Sequence, residues 1–153
     1  MPLISIVTPV QNEGQDYLLE AYESLHSQAM PSGWDGEWIV QEDGRTGFLA
    51  SVLPADDQIS TGTGRNGGAA MTRSMAMARV RGELVRALDA DDLLPPGALA
   101  SAINTLTQNR DAAWCVSACL DLDEILLPRL EAIRSLGWRW SPSQGMTATG
   151  EPS

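Results

Sequence analysis

A chain of 153 residues, 43% of them hydrophobic, has enough apolar surface for one compact domain and too little for two. Its formal net charge of −10 and a basic set made only of arginines leave no lysine stripe to track a phosphate backbone, which argues against nucleic acid as a partner. No basic leader precedes an apolar run, and no stretch of about 18 apolar residues is present to span a bilayer, so the expected location is cytoplasmic, with peripheral docking at a membrane left open.

Leu3 to Val10, LISIVTPV, is a β-branched apolar run that predicts a buried strand ending in a loop at Asn12 and Gly14. From Asp16 the apolar positions Leu18, Leu19, Tyr22 and Leu25 return at helical spacing, and Pro31 with Gly33 stops that helix. Glu37 to Gln41 reads as a second strand delivering the chain to the polar turn Glu42, Asp43, Gly44. A weaker strand is expected near Gln58 to Ser60, ahead of the glycine-rich stretch Gly62 to Gly68. A helix of small residues and methionines follows over Ala69 to Val80. Leu84 to Leu88 is the fourth expected strand, buried and ending at Asp89. Pro95, Pro96 and Gly97 open a helix with Leu99, Ala102, Ile103 and Leu106 on one face.

Trp114 to Leu120 reads as a fifth strand and Glu124 to Leu136 as a last helix stopped by Gly137. On that strand Cys115 and Cys119 would stand about 13 Å apart, too far for a disulfide, so both are expected as reduced core residues. The five tryptophans are expected to serve core and tail packing. Serine, proline, glycine and threonine dominate 141–153, which predicts a disordered tail after a single domain over 1–140.

Strands that alternate with helices imply an α/β fold with a mostly parallel sheet and helices on both faces. Ligands bind such sheets at the strands' carboxyl ends, so the loops after Val10, Gln41 and Leu88 converge on one candidate site. Asp89, Asp91 and Asp92 repel one another unless a cation or arginine neutralises them, which points to an oxygen-ligated Mg2+ or Mn2+; a solvated turn and helix cap is the competing reading. Asp43, with Glu42, offers an acceptor for the imide N–H of a uracil, or for another base or ribose, against the plain alternative of a turn. Gly62, Gly64 and Gly67 spell GxGxxG, with Asp89 downstream, which opens a nicotinamide-dependent alternative. Arg73 offers a fork of donors to a diphosphate, or is a surface helix arginine. His26, the lone histidine, sits where it favours a helix C-terminus.

In chain order, ISIVTPVQNEG, EWIVQEDG, NGGAAMTRSMAMARVRGELV and LDADDLLPPGAL resemble the amino-terminal half of family 2 glycosyltransferases, over about Leu3 to Leu106. The resemblance implies the GT-A fold, with a nucleotide-sugar-binding domain over 1–140. It also implies metal-dependent, inverting transfer of a sugar from a nucleotide-diphosphate sugar to an acceptor that the sequence does not identify. Carried over by position, Thr8, Pro9 and Glu13 line the nucleotide, Asp43 holds the base, and Arg73 approaches the diphosphate. Asp89 and Asp91 form the Asp-X-Asp metal pair for Mn2+ or Mg2+. Gln11 stands where the family has a tyrosine, Glu42 and Arg45 where it has aspartate and serine, and Ser74 where it has asparagine. The stretch after Asp92 is shorter than the family's acceptor-binding half, which supplies the catalytic base. The expectation is therefore either transfer by the complete protein, once an acceptor half is supplied, or a truncated, catalytically silent nucleotide-diphosphate-binding module that acts with a homo-oligomeric copy or partner protein completing the acceptor site.

Overall fold

The computed structural model describes residues 1–11, 15–117, 138–141 and 145–148. Their elements run β1 (Leu3–Val10), α1 (Gln15–His26), β2 (Asp35–Glu42), α2 (Leu49–Val52), β3 (Ile59–Gly62), α3 (Gly68–Met77), β4 (Leu84–Ala87), α4 (Ala98–Gln108), β5 (Trp138–Ser141) and β6 (Gly145–Ala148). Four strands form a parallel sheet in the order β3-β2-β1-β4, with Val7 opposite Ile39 and Ala87. This is the expected α/β architecture.

β1 and β2 are central, which is why Ile4, Ile6, Val7, Val10, Trp38, Ile39 and Val40 are all buried: a parallel strand covered on both faces has no solvent side for polar residues to alternate onto. Strand alternation then assigns the faces. Val7 and Ile39 pack with Ala76 of α3, with Val80 against the same cluster. Trp38, one residue away and pointing oppositely, stacks on Tyr22 of α1 with ring centroids 6.3 Å apart. Helices thus cover both faces.

Beneath α3, where the parallel strands begin, a buried polar knot joins three segments. Glu37 accepts the Ser5 hydroxyl at 2.6 Å, the Arg81 amide at 2.9 Å and Arg81 Nε at 2.7 Å, while Ser5 Oγ accepts the Gly82 amide at 2.9 Å. Burial pushes the Glu37 carboxyl upward, but the hydrogen bonds from Ser5 and Arg81, with the Arg81 charge, outweigh it and hold its pKa below the usual 4.5. A carboxylate with a lowered folded pKa contributes stability that is full above the unfolded value and is lost as pH falls through the folded one. Glu37→Gln is therefore expected to cost about 1–3 kcal/mol at pH 7, chiefly by disrupting buried donors, since the exposed Arg81 side chain is well screened. Urea denaturation of both proteins checks this. The gap between them should shrink once pH falls well below 4.5.

Among the described strands β4 pairs with β1 alone, and Val85 is 47% exposed, so the expectation of a buried fourth strand is not met there: order in the sheet, invisible in a short apolar run, sets how far a strand is covered. The short helix α2 has no amphipathic repeat to announce it. Trp114–Ser117, the described part of the expected fifth strand, is not a strand, and Trp114 and Val116 are 74% and 81% exposed, which corrects that part of the strand and the core role of Trp114; 118–120 lie outside the described residues. Cys115 is a half-buried free thiol; Cys119 and the expected helix over Glu124 to Leu136 lie outside the described residues. Within the stretch read as a disordered tail, Gly145–Ala148 pairs antiparallel with Trp138–Ser141.

Within the span read as one domain, the chain groups into two compact units, Met1–Glu23 with Ser32–Leu93, and Ser24–Pro31 with Leu94–Ser153. In the second, the buried Gln28 side chain organises the entry to α4. Its Nε2 donates to the carbonyls of Ser24, Leu94 and Pro95, and its Oε1 accepts the Leu99 amide, supplying the cap that the αL residue Gly97 lacks a side chain to provide.

Candidate functional site

The carboxyl-terminal parts of the strands and the loops after them carry Thr8, Pro9, Asp43, Asp89, Asp91 and Asp92, and α3 carries Arg73, all within the first compact unit. β1 goes to β2 on one side, whereas β3 returns past both to β4 on the other, so the order reverses between β1 and β4. That reversal is the crevice where parallel α/β sheets take ligands. Main-chain hydrogen bonds tie its loops together: the Asp43 amide donates to Val10, Gly64 to Gly44, and Leu88 to Val7, each within 3.0 Å.

Asp43 is the centre of this arrangement. Its Oδ1 accepts the amides of Gly67 at 2.7 Å and Gly68 at 3.3 Å; its Oδ2 accepts Gly68 at 3.0 Å and Gln11 Nε2 at 3.1 Å. Two of these donors belong to the start of α3, where the amides have no intrahelical acceptor, so Asp43 caps that helix across 24 residues of sequence. The Gly67 amide foremost, then Gln11, with Gly68 and Thr72, outweigh burial and hold the Asp43 carboxyl below its ordinary pKa of 3.8. It is an acceptor only at neutral pH. Glu42, beside it, is fully buried, and its carboxylate accepts the amides of Thr46 at 2.6 Å and Gly47 at 2.8 Å; it shapes the loop and is turned to the chain's own backbone.

One turn into α3, Arg73 reaches across to β4's exit and pairs through Nη2 with Asp89 Oδ1. The arginine and the first aspartate of the acidic cluster, 16 residues apart, thus share one spot. The Asp92 amide donates to the Asp89 carbonyl at 3.1 Å, closing a turn on which Asp91 and Asp92 are exposed. Arg73 Nε is a buried donor with no acceptor among the described residues. No group of three or more His, Cys, Asp or Glu side chains that could hold a metal ion is gathered among the described residues.

The remaining candidates are placed differently. Thr8 is wholly buried, and its hydroxyl accepts the Trp38 indole N–H at 2.8 Å, which commits the side chain to the core. Pro9 is buried in β1. Glu13 lies outside the described residues. His26 is exposed in the last turn of α1, as expected of a residue favouring the helix dipole.

The GxGxxG glycines begin with Gly62, the last residue of β3, which is outermost beside β2 among the described strands and away from the reversal between β1 and β4. Side chains of α3 and, at Gly62, of Arg79 just past it lie close over them. A Cβ on Gly62 would stand 2.3 Å from Arg79 Nη1, on Gly64 2.2 Å from the Met75 methyl and on Gly67 2.5 Å from the Met71 sulfur. Arg79 there bonds Ser60, Gln41 and the Val40 carbonyl and clamps β3 to β2. An apolar depression lined by Leu19, Tyr22, Glu23, Val52, Leu53 and Pro54 includes no candidate residue.

Two features of the site escaped the sequence. Gln11 was visible only as a departure from a family tyrosine; its bond to Asp43 spans 32 residues and has no local signature. The amides of Gly67 and Gly68 were hidden in a glycine run, although a Gly-Gly pair ahead of a helix marks main-chain donors that need an acceptor.

Comparison with known proteins agrees with this geometry. The chain matches glycosyl transferase family 2 over residues 5–139. It is 35% identical over 105 residues to the O-antigen biosynthesis protein RfbC of Myxococcus xanthus, covering 65% of this chain and 8% of that one. An uncharacterized glycosyltransferase of Methanocaldococcus jannaschii is 30% identical over 129 residues, 80% of this chain and 43% of its own. The crystal structure of S. aureus TarS in complex with UDP-GlcNAc superposes with a TM-score of 0.59 at 23% identity, over 72% of this chain and 32% of that one, a likeness of fold. The chain spans less than half the length of each of these three proteins. No helix among the described residues is long and apolar enough to cross a membrane. A match that runs from β1 through the sheet and its carboxyl-end loops settles the family: this chain belongs to glycosyl transferase family 2.

Proposed function

We propose that the chain binds the donor, a nucleotide-diphosphate sugar, for metal-dependent transfer of the sugar to an acceptor. The observation that carries this is the meeting of Arg73 with Asp89 at the reversal between β1 and β4, beside the loop organised by Asp43. A diphosphate needs positive charge that a protein of net charge −10 does not supply in bulk. Arg73 provides part of it, and its buried Nε–H is a spare donor suited to a phosphate oxygen.

The donor set fits a hard divalent ion shared with substrate. Mg2+ is commonly held by one or two carboxylates plus phosphate oxygens, and Asp89 with Asp91 supplies the carboxylates without a full protein cage. When bound, Mn2+ or Mg2+ would neutralise the diphosphate leaving group. Around it, the main chain at Thr8 and Pro9, whose side chains are buried, is proposed to line the nucleotide together with Glu13, Asp43 to accept from the base, and Arg73 to release Asp89 in exchange for the diphosphate. Transfer is proposed for the assembly that also carries an acceptor half and its catalytic base, whether a longer protein, a partner protein or a homo-oligomer.

Titration calorimetry of UDP and GDP with and without Mn2+ tests the reading. Binding should require or be strengthened by the metal, and Asp91→Asn should remove the metal dependence while leaving the fold unchanged by circular dichroism. Metal-independent binding of equal strength in both proteins would sink the metal assignment.

A further inference from the structure

We propose that the apolar depression between α1 and the end of α2 is a docking surface for a basic, amphipathic segment of a partner protein. None of its lining residues belongs to the nucleotide site, so the inference stands apart from the donor-binding reading.

The depression measures about 340 Å³, and five of its six lining residues, Leu19, Tyr22, Val52, Leu53 and Pro54, are apolar or aromatic. All of them lie in the first compact unit. Its wall is fixed from behind: the Tyr22 ring stacks on Trp38, its hydroxyl donates to Asp56 at 3.4 Å, and Leu53 is buried. Leu19 is different. The fully buried Leu18 and Ala21 supply the core stripe of α1, whereas Leu19 turns 49% of its surface to solvent and contributes little to holding the helix down. An exposed leucine by itself is ordinary, but one set beside a preformed apolar wall gives a partner both an anchor point and a place to insert a side chain.

Charge selects the occupant. Glu23 lines the depression and is exposed, Asp56 adjoins it through Tyr22, and the exposed Asp57 follows. Arg45 is the one lysine or arginine before Arg65, against ten acidic residues in the same stretch, so the segments that build this surface carry a nearly uncompensated negative field. A second copy of the chain, with its own net charge of −10, meets that field with the same sign, and so does an anionic membrane surface. A partner segment that sets lysine or arginine beside apolar anchors matches both properties at once. An amphipathic helix laid in a groove meets this requirement, with its apolar side chains on the Leu19 and Tyr22 wall and its cations toward Glu23 and Asp56.

Fluorescence anisotropy with three short labelled peptides tests this: one that as a helix has leucines on one face and lysines on the other, a scrambled peptide of the same composition, and the first peptide with glutamate for lysine. The leucine–lysine helix should bind at least about 10-fold more tightly than the scrambled peptide, and the glutamate peptide should not bind. Leu19→Ser should weaken the leucine–lysine peptide about 5- to 30-fold, the range of a lost apolar anchor. Glu23→Gln should weaken it about 2- to 5-fold and flatten its salt dependence. Val85→Ser, which removes an equally exposed apolar side chain outside the depression, should change nothing, and circular dichroism checks that each variant is folded. Absence of binding, equal binding of the scrambled peptide or indifference to Leu19→Ser would overturn the docking site, the last two by leaving only attraction to bulk charge. Equal binding of the glutamate peptide would overturn the basic partner. A dimer seen by sedimentation that Leu19→Ser dissolves would put a second copy on this surface and overturn it too.

Discussion

Ile39→Ala is expected to lower stability by about 2–5 kcal/mol, the range for deleting a large aliphatic side chain from a core that relaxes only in part. Ile39 is completely buried on the central strand β2, packed with Val7 of β1 and Ala76 of α3. Its loss opens a cavity where the sheet meets α3, and Ala76 is too small to move in and fill it. For a chain of this length, the change corresponds to a drop in Tm of roughly 4–20 °C. Val85→Ala on the half-exposed strand β4 serves as the control and should stay within about 0.5 kcal/mol. Chemical denaturation of the two variants measures the contrast directly. Because α3 also carries Arg73 and is capped by Asp43, Ile39→Ala should weaken nucleotide binding as well, in proportion to the loosened helix and not to any lost contact.

Arg73→Ala has the largest effect expected on binding. If the guanidinium meets the diphosphate, its removal deletes a charge-assisted hydrogen bond, about 1.5–3 kcal/mol, so affinity for UDP or GDP should fall about 10- to 150-fold. The corresponding nucleosides, which have no phosphate, should bind both proteins alike. This comparison separates a phosphate contact from a general disturbance of α3. Arg73→Lys should recover only part of the loss, since an ammonium lacks the planar fork. An arginine that merely neutralises Asp89 predicts something different: its removal would leave diphosphate affinity unchanged or raised by freeing the carboxylate for metal.

Much of the fold was legible because its signals are local. LISIVTPV and EWIVQ are buried on both faces, and continuous apolar runs of that length have few alternatives once helices flank them. The periodic helices α1 and α4 were equally plain, each with a stop or start residue at its end. β4 was found as a strand, but its exposure was not, because strand order depends on how crossovers wind and not on the four residues themselves. Trp114 to Ser117 misled through composition: aromatic and β-branched residues carry strand propensity wherever they sit, and only a pairing partner makes a strand.

The candidate site was legible as a set of types and illegible as a set of bonds. Asp43, Arg73 and Asp89 were each found in loops or helix starts that the parallel topology brings to one edge. That Asp43 would cap α3, that Arg73 would pair with Asp89, and that Gln11 would hold Asp43 are contacts across 16 to 32 residues, set by tertiary packing. Such pairings leave no periodicity to read.

We propose this edge of the sheet as a metal-assisted nucleotide-diphosphate site. Titrating the protein with UDP, GDP and NAD, each with and without Mn2+, tests it most directly. UDP or GDP should bind with a strengthening by Mn2+ that Asp91→Asn abolishes, and NAD should stay silent; tight, metal-independent NAD binding would contradict this reading.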